Sequence, residues 1–378
     1  MKILKTPANL SAKIKSISNT LVRWFPTPRV LVPYIAGIDI SEASIKWIVF
    51  EEHKEGLRIF KYGSTQLSAG IVIDGLIRDE IALAQALKQV KSELSGINYA
   101  NAALPEESAY VFSVHVPEKT KRDQIMSIIE FELDGRVPIS PKDAVFDYDI
   151  IMEHDDGVGA EIGVVVFPRE VVESYISVFN AAGFELQSLE VEARSIARAV
   201  SSQSADEPIM LTVDFGRGRT GLSVLKRGVP IFTSTVKVGG EAMTKAVIEK
   251  LSLTPEDAER FKNDQGLLAK EGTKNPGVQV LFETAAALAD EVAKLYRYWD
   301  TRRNDKGVRM TPVGRVLILG GNSNLKGLAN YIAERVQAPT FRPDLWQNVC
   351  SFEKYIPPID RKTSLQYATA IGLALRGM

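Results

Sequence analysis

A strand–aspartate–turn–strand unit occurs twice in this chain, and that repetition restricts the fold more than any other feature. Residues 34–60 read YIAGIDISEASIKWIVFEEHKEGLRIF and residues 210–232 read MLTVDFGRGRTGLSVLKRGVPIF. Each copy is a short apolar strand ending in Asp (Asp39, Asp214), a small or polar turn and a second strand. A Gly (Gly56, Gly228) and a third apolar run ending in Ile-Phe follow. The two aspartates stand 175 residues apart, far beyond the roughly 20–50-residue period of a solenoid. The spacing predicts two similar domains that each open with a β-meander. A length of 378 residues suits two or three domains at about 150 residues each.

The flanking patterns predict α/β class. After the first unit come a helix near 78–94 and a strand near Ala100–Leu104. After the second come a helix from Glu241 to Leu251, another opening at Thr254-Pro255-Glu256-Asp257, and a long one near 280–300. Thr254 reads as an N-cap with proline at the first helical position and acids in the first turn. Arg315–Leu319 reads as a strand, then Gly320-Gly321-Asn322 and a helix to about Val336. Residues 105–192 read strand, helix, strand, strand, helix, strand. That is the βαββαβ order of a ferredoxin-like unit, set inside the first half, with Gly157 and Gly159 marking its middle hairpin.

Several function classes are excluded. Lys plus Arg is 46 and Asp plus Glu is 47, so the chain lacks the basic balance of a nucleic-acid binder. A single cysteine, Cys350, removes disulfide frameworks and multi-cysteine metal sites. No HExxH, GxxxxGK[ST] or GxGxxG occurs, which removes zincins, P-loop and Rossmann proteins. No apolar run approaches the ~18 residues of a spanning helix, and no secretory signal is expected.

Residues 1–38 hold six basic side chains and no acid. Within this arm Leu10, Ile14, Ile17, Leu21 and Trp24 fall at helical spacing, with Lys13, Lys15 and Arg23 flanking the stripe. One reading is a helix lying on an anionic membrane surface; the other is a helix packed on protein.

Phosphates call for close backbone N–H groups, and their magnesium for a carboxylate acting through water. Asp214-Phe215-Gly216-Arg217-Gly218-Arg219-Thr220 meets both needs. Asp39-Ile40-Ser41-Glu42-Ala43-Ser44 meets them without a glycine. Asp-x-Gly hairpins are also ordinary turns. Gly320-Gly321-Asn322, between strand and helix, lets a flat base or sugar lie against the backbone.

Taken in order, these pieces resemble the actin-like ATPase superfamily across residues 34–378. Gly37-Ile38-Asp39 to Lys46 matches the first phosphate element, and Val213 to Thr220 the second. Val238-Gly239-Gly240-Glu241 resembles the glycine pair beside the nucleotide. Ala258-Glu259-Arg260-Phe261-Lys262 resembles a segment whose Glu and Lys reach the ribose. Leu317 to Leu328, with its Gly320-Gly321 pair, matches the adenosine element. Tyr367 to Ala374 is similar to the closing helix that returns to the first lobe. The resemblance implies duplicated ribonuclease H-like lobes: an arm at 1–33, a first lobe at 34–205 with the insertion at about 105–192, a second lobe at 206–350, and a returning segment at 351–378. It implies ATP–Mg between the lobes. Asp39, Ser41, Glu42, Lys46, Asp214, Gly216, Arg217, Gly218, Thr220, Gly239, Gly240, Glu241, Glu259, Lys262, Gly320, Gly321 and Asn322 would bind it, with Asp39 and Asp214 holding magnesium through water.

Glu42 stands where the family usually has Ser or Thr. A carboxylate facing a triphosphate costs about 1 kcal/mol at 4 Å in water, so weak or absent hydrolysis is expected; Glu42 could instead face magnesium or solvent. The insertion, with Glu130, Glu132, Val137-Pro138-Ile139 and Phe146-Asp147-Tyr148, resembles the PilM family, related to FtsA. The short run after the closing helix also favours PilM. The resemblance implies a cytoplasmic platform of the type IV pilus machine, peripheral at the inner face of the plasma membrane. Its expected partners are the N-terminal tail of a PilN-like membrane protein, a pilus motor ATPase and, through residues 1–30, anionic lipid. An FtsA-like filament protein is the alternative, and a kinase of the superfamily a more distant one.

Overall fold

The computed structural model describes residues 33–117, 120–154, 159–202, 204, 206–269, 271–303 and 309–378. The Leu10–Trp24 stripe and Gly157 lie outside the described residues. The chain divides into units of residues 1–34 and 35–378, and the description below concerns the second.

In chain order the strands are β1 (Ile35–Ile40), β2 (Ser44–His53), β3 (Gly56–Gln66), β4 (Val72–Ile73), β5 (Leu76–Ile77), β6 (Tyr99–Leu104), β7 (Tyr110–Val116) and β8 (Ala144–His154). They continue as β9 (Gly159–Pro168), β10 (Glu185–Val191), β11 (Ile209–Phe215), β12 (Thr220–Lys226), β13 (Val229–Val236), β14 (Val313–Leu319) and β15 (Thr340–Phe341). The helices are α1 (Glu80–Glu93), α2 (Arg122–Arg136), α3 (Arg169–Ala181), α4 (Glu192–Val200), α5 (Gly240–Leu251), α6 (Pro255–Gln265), α7 (Pro276–Thr301), α8 (Leu328–Val336), α9 (Arg361–Ser364) and α10 (Ala368–Ala374). Helix α6 starts as its sequence predicts: the Thr254 hydroxyl accepts the Asp257 N–H and Pro255 stands in the first turn.

The two repeats build two sheets of one design. The first has order β10-β6-β1-β2-β3 and the second β13-β12-β11-β14-β15. In each, the repeat supplies an antiparallel meander. Two further strands then add parallel to its first strand: β6 and β10 in one lobe, β14 and β15 in the other. The two-lobed actin-like α/β expectation therefore holds.

The inserted unit differs from the expected βαββαβ. Its sheet has three strands, β7-β9-β8, and its core gathers Val114, Ile129, Leu133, Ile162 and Val164 under α2. The expected last helix and strand belong elsewhere. Helix α3 buries Val171, Tyr175, Val178 and Phe179 in the first-lobe core, and β10 pairs in parallel with β6. The reason is burial: the α3 face is too apolar to leave, and the first lobe offers it the covered side of a sheet. The insertion thus ends near Pro168 rather than at 192.

The chain closes on the first lobe. Helix α10 lies on β1 so tightly that a methyl at Gly37 would overlap the backbone of Ala370 and Ala374, and one at Gly372 would overlap the Ser195 carbonyl. Asn101, buried in β6, donates to the Leu373 carbonyl at 3.0 Å and accepts from Ser188 at 2.7 Å. A cluster including Ile48, Met210, Leu317, Trp346 and Ile371 joins the lobes. Overpacking of this kind costs about 1–3 kcal/mol, so Gly372→Ala should lower unfolding free energy by that amount or more in denaturant titration. Gly135→Ala, in α2 with no atom nearby, should be neutral or stabilising.

Candidate functional site

Parallel strands place their carboxyl ends together, and loops leaving those ends make the crevice where ligands of open α/β sheets bind. Both lobes obey this rule toward each other. Asp39 sits at the carboxyl end of β1, Glu106 just beyond β6 and Glu192 just beyond β10; Asp214 sits at the end of β11 and Gly320 just beyond β14. A cavity of about 360 Å³ between these ends is lined by Asp39, Ser41, Glu42, Asp214, Gly216, Arg217, Gly218 and Glu241 among the expected residues. An adjoining cavity of about 270 Å³ adds Lys46, Gly320, Gly321 and Asn322.

Local hydrogen bonds explain each turn. The Ser41 hydroxyl donates to the Ser44 carbonyl at 2.9 Å and accepts the Ser44 N–H at 3.1 Å, closing the first turn without glycine. Lys46 donates to the Ser44 hydroxyl at 2.7 Å. In the second turn the Gly216 N–H reaches the carbonyls of Asp214 and Arg219. Gly320 adopts a φ of 93°, and a side chain there would overlap the Asp214 carboxylate; both facts favour glycine.

The remaining expected residues do not line the cavity. Thr220 is fully buried, and its hydroxyl donates to the Val238 carbonyl at 2.6 Å. Gly239 and Gly240 are buried beneath the second turn. A methyl on Gly239 would overlap the backbone of Arg217 and Gly218, and one on Gly240 the Asn322 amide. Lys262 is 2% exposed; its ammonium donates to Glu259 at 2.8 Å, Asn322 at 3.2 Å and the Gly240 carbonyl at 3.4 Å. Glu259 also accepts from Thr244 at 2.6 Å. Glu259 and Lys262 are thus partnered behind Asn322, which donates to the Gly216 carbonyl at 2.9 Å.

Glu42 is half-buried and lines the cavity. Its carboxylate accepts the Asp74 N–H at 2.7 Å and lies beside Gly218. Asp74 and Gly75 turn the β4–β5 hairpin with φ of 48° and 73°, as tight hairpins require.

Three charged residues of the cleft had no assigned place in the sequence reading: Glu106, Glu192 and Arg219. The signal for the two acids was their position, each immediately after an apolar strand. Arg219 pairs with Glu107 and with Glu192, the latter at 3.1 Å. Burial, with Asp214 beside it, pushes Glu106 up to about 8. Burial and the neighbouring Asp39 push Asp214 up to about 7. Burial, then Glu106, Asp39 and Asp214, hold Glu192 well above the usual range. Burial also raises Asp39, against Lys46 and Arg219. The Glu106 Oε2 has no hydrogen-bond partner. Among the described residues no group of three or more His, Cys, Asp or Glu is arranged to ligate a metal directly.

These shifts fix a pH dependence. Below about pH 4 the carboxyls are protonated in both folded and unfolded chains. As pH rises past 4.5 the unfolded chain releases the Glu106 proton while the folded chain keeps it to about 8, so stability falls across that interval. Without nucleotide or metal, the denaturation midpoint should drop from pH 5 to pH 8, and Glu106→Gln should flatten part of that slope. An unchanged slope would contradict the assignment.

Residues 37–378 match the family described as type IV pilus assembly protein PilM. Cell division protein FtsA of Staphylococcus epidermidis is 22% identical over 350 residues, covering 81% of this chain and 74% of FtsA. The solved PilM–PilN type IV pilus biogenesis complex is similar with a TM-score of 0.76 at 20% identity, over 93% of this chain and 99% of the other. MreB5 of Spiroplasma citri bound to AMPPNP is similar with a TM-score of 0.51 at 13% identity, over 92% and 96%. The structural likenesses agree with the paired sheets in showing the actin-like fold. The family match begins two residues before Asp39 and runs through both lobes, the insertion and the closing helix: this chain belongs to the PilM family of type IV pilus assembly proteins, within the actin-like ATPase superfamily.

Proposed function

We propose that this chain is a nucleotide-clamped platform of a type IV pilus assembly complex, with ATP and magnesium held between its lobes and a PilN-like peptide held beside its insertion. The observation that carries the nucleotide reading is the convergence of Asp39 and Asp214, from the two repeats, on one cavity. The residues fit the pair of ligands. Desolvated carboxylates, one with an unpartnered oxygen, need a cation to ionise, and the lack of a direct ligand cluster suits an ion held through its waters. Lys46 and Arg217 face the cavity as cations for phosphate. The AMPPNP-bound MreB5 relative supports a nucleotide as the occupant. Bound nucleotide supplies contacts to both lobes, and this chain's turns set the lobe spacing; binding rather than turnover is the function.

Asp214→Asn should weaken Mg-ATP binding at least tenfold in calorimetry, because the cation loses an acceptor at the junction of the lobes. No heat and no thermal shift with the unmodified protein would overturn the nucleotide reading.

The partner reading rests on a second place. Strand β10 is one edge of the first-lobe sheet and β8 one edge of the insertion's sheet, and between them lies a cavity of about 160 Å³. Val145, Phe167, Val172, Leu104 and Leu189 give it apolar walls, and Asp147, Asp149, Arg194 and Arg376 a charged rim. Free strand edges beside apolar pockets suit an extended peptide, whose main chain pairs and whose alternate side chains fill the pockets. The PilM–PilN complex supports a PilN-like N-terminal segment as that peptide. Among the described residues no helix is long and apolar enough to cross a membrane. Val172→Glu should reduce binding of a synthetic PilN-like N-terminal peptide at least tenfold with circular dichroism unchanged. Equal affinity would place the peptide elsewhere.

A further inference from the structure

A charged connection runs between the cavity and the groove. Arg219 lies in the second-lobe turn and lines the cavity. Its guanidinium pairs with two first-lobe acids, Glu107 and Glu192. All three side chains are largely buried, at 19%, 14% and 12% exposure, so these ion pairs are poorly screened and costly to leave unpaired.

Glu192 sits at the base of one groove wall, and Glu107 at the root of the insertion whose β8 supplies the other. Glu107 is in the 3-10 turn Glu106–Ser108, three residues before β7, where the chain leaves the first lobe for the insertion. Glu192 opens α4, directly after β10. Two residues further, Arg194 donates to Asp149 on the groove rim at 2.8 Å and to the Gly228 carbonyl of the second lobe. Arg198, on the same helix, and Arg376 both bind Glu190 of β10. Thus a short path of ion pairs runs from the cavity wall through Arg219 and α4 to both edges of the groove.

We propose that Arg219 is the residue that couples the cavity to the groove, so that an anionic occupant of one changes the affinity of the other for its peptide. The inference rests on the nucleotide and peptide sites proposed above. An anion in the cavity is a new partner for the guanidinium, in competition with Glu107 and Glu192. Drawing charge from those pairs frees the root of the insertion and the start of α4, which carry the groove's two walls. By linkage the effect must be reciprocal: whatever factor the anion imposes on peptide affinity, the peptide imposes on the anion.

The test uses the full chain, Mg-ATP and a synthetic PilN-like N-terminal peptide, with each affinity measured alone and with the other ligand saturating. In the unmodified protein the two affinities should depend on each other by the same factor, at least fivefold. In Arg219→Gln that factor should fall to within twofold of unity, whatever happens to each affinity separately. Glu107→Gln, which leaves the guanidinium in place and cuts only the link to the insertion, should lower the factor too, and keeps the test open should the arginine variant not fold. Failure of either ligand to bind the unmodified protein would sink the site assignments and the coupling with them. Normal binding of both with a factor of one, or a full factor retained in the variants, would overturn the role of Arg219 and leave the sites standing.

Discussion

Parallel pairing in both lobes forces acids from distant parts of the chain to the same few ångströms. Asp39, Glu106, Glu192 and Asp214 each end or follow a parallel strand, and the cleft they share keeps water from solvating them fully. Mutual repulsion and burial raise their proton affinity, so the cleft holds protons where a metal-bearing ligand would hold charge. Lys46 and Arg219 offset part of this repulsion. A site poised in this way gains most from a ligand that brings its own cation and touches both lobes.

The same constraint shapes the inserted subdomain. Because β10 completes the first-lobe sheet, the insertion is left with three strands; β8 is an edge of that sheet and β10 an edge of the lobe's. Open edges are a liability unless covered or used; here apolar side chains from both sides line the gap between them.

What the sequence disclosed was local. Turn chemistry around Asp39, Asp214 and Gly320 depends on neighbours a few residues away, and those elements stand where the repeat and the glycines put them. The α3 and β10 segments were read correctly as helix and strand, yet assigned to the wrong sheet, because a strand–helix–strand pattern does not state which strand its end will pair. Thr220 and Lys262 matched a pattern, but their partners, Val238 and Asn322, come from other elements and turn them inward; Glu259 stays exposed beside Thr244. Glu106 and Glu192 escaped notice for the same reason, and Arg219, though within the second phosphate turn, was given no role of its own: each is an ordinary surface type until the lobes close around it.

Hydrogen–deuterium exchange with and without Mg-ATP tests most directly whether the two lobes form one site. Ligand held across the cleft should protect the turns at 39–46 and 214–221 together with the 320–323 turn, since all three lie against one space. Protection confined to one lobe, or exchange unchanged throughout, would contradict a clamp built from both repeats.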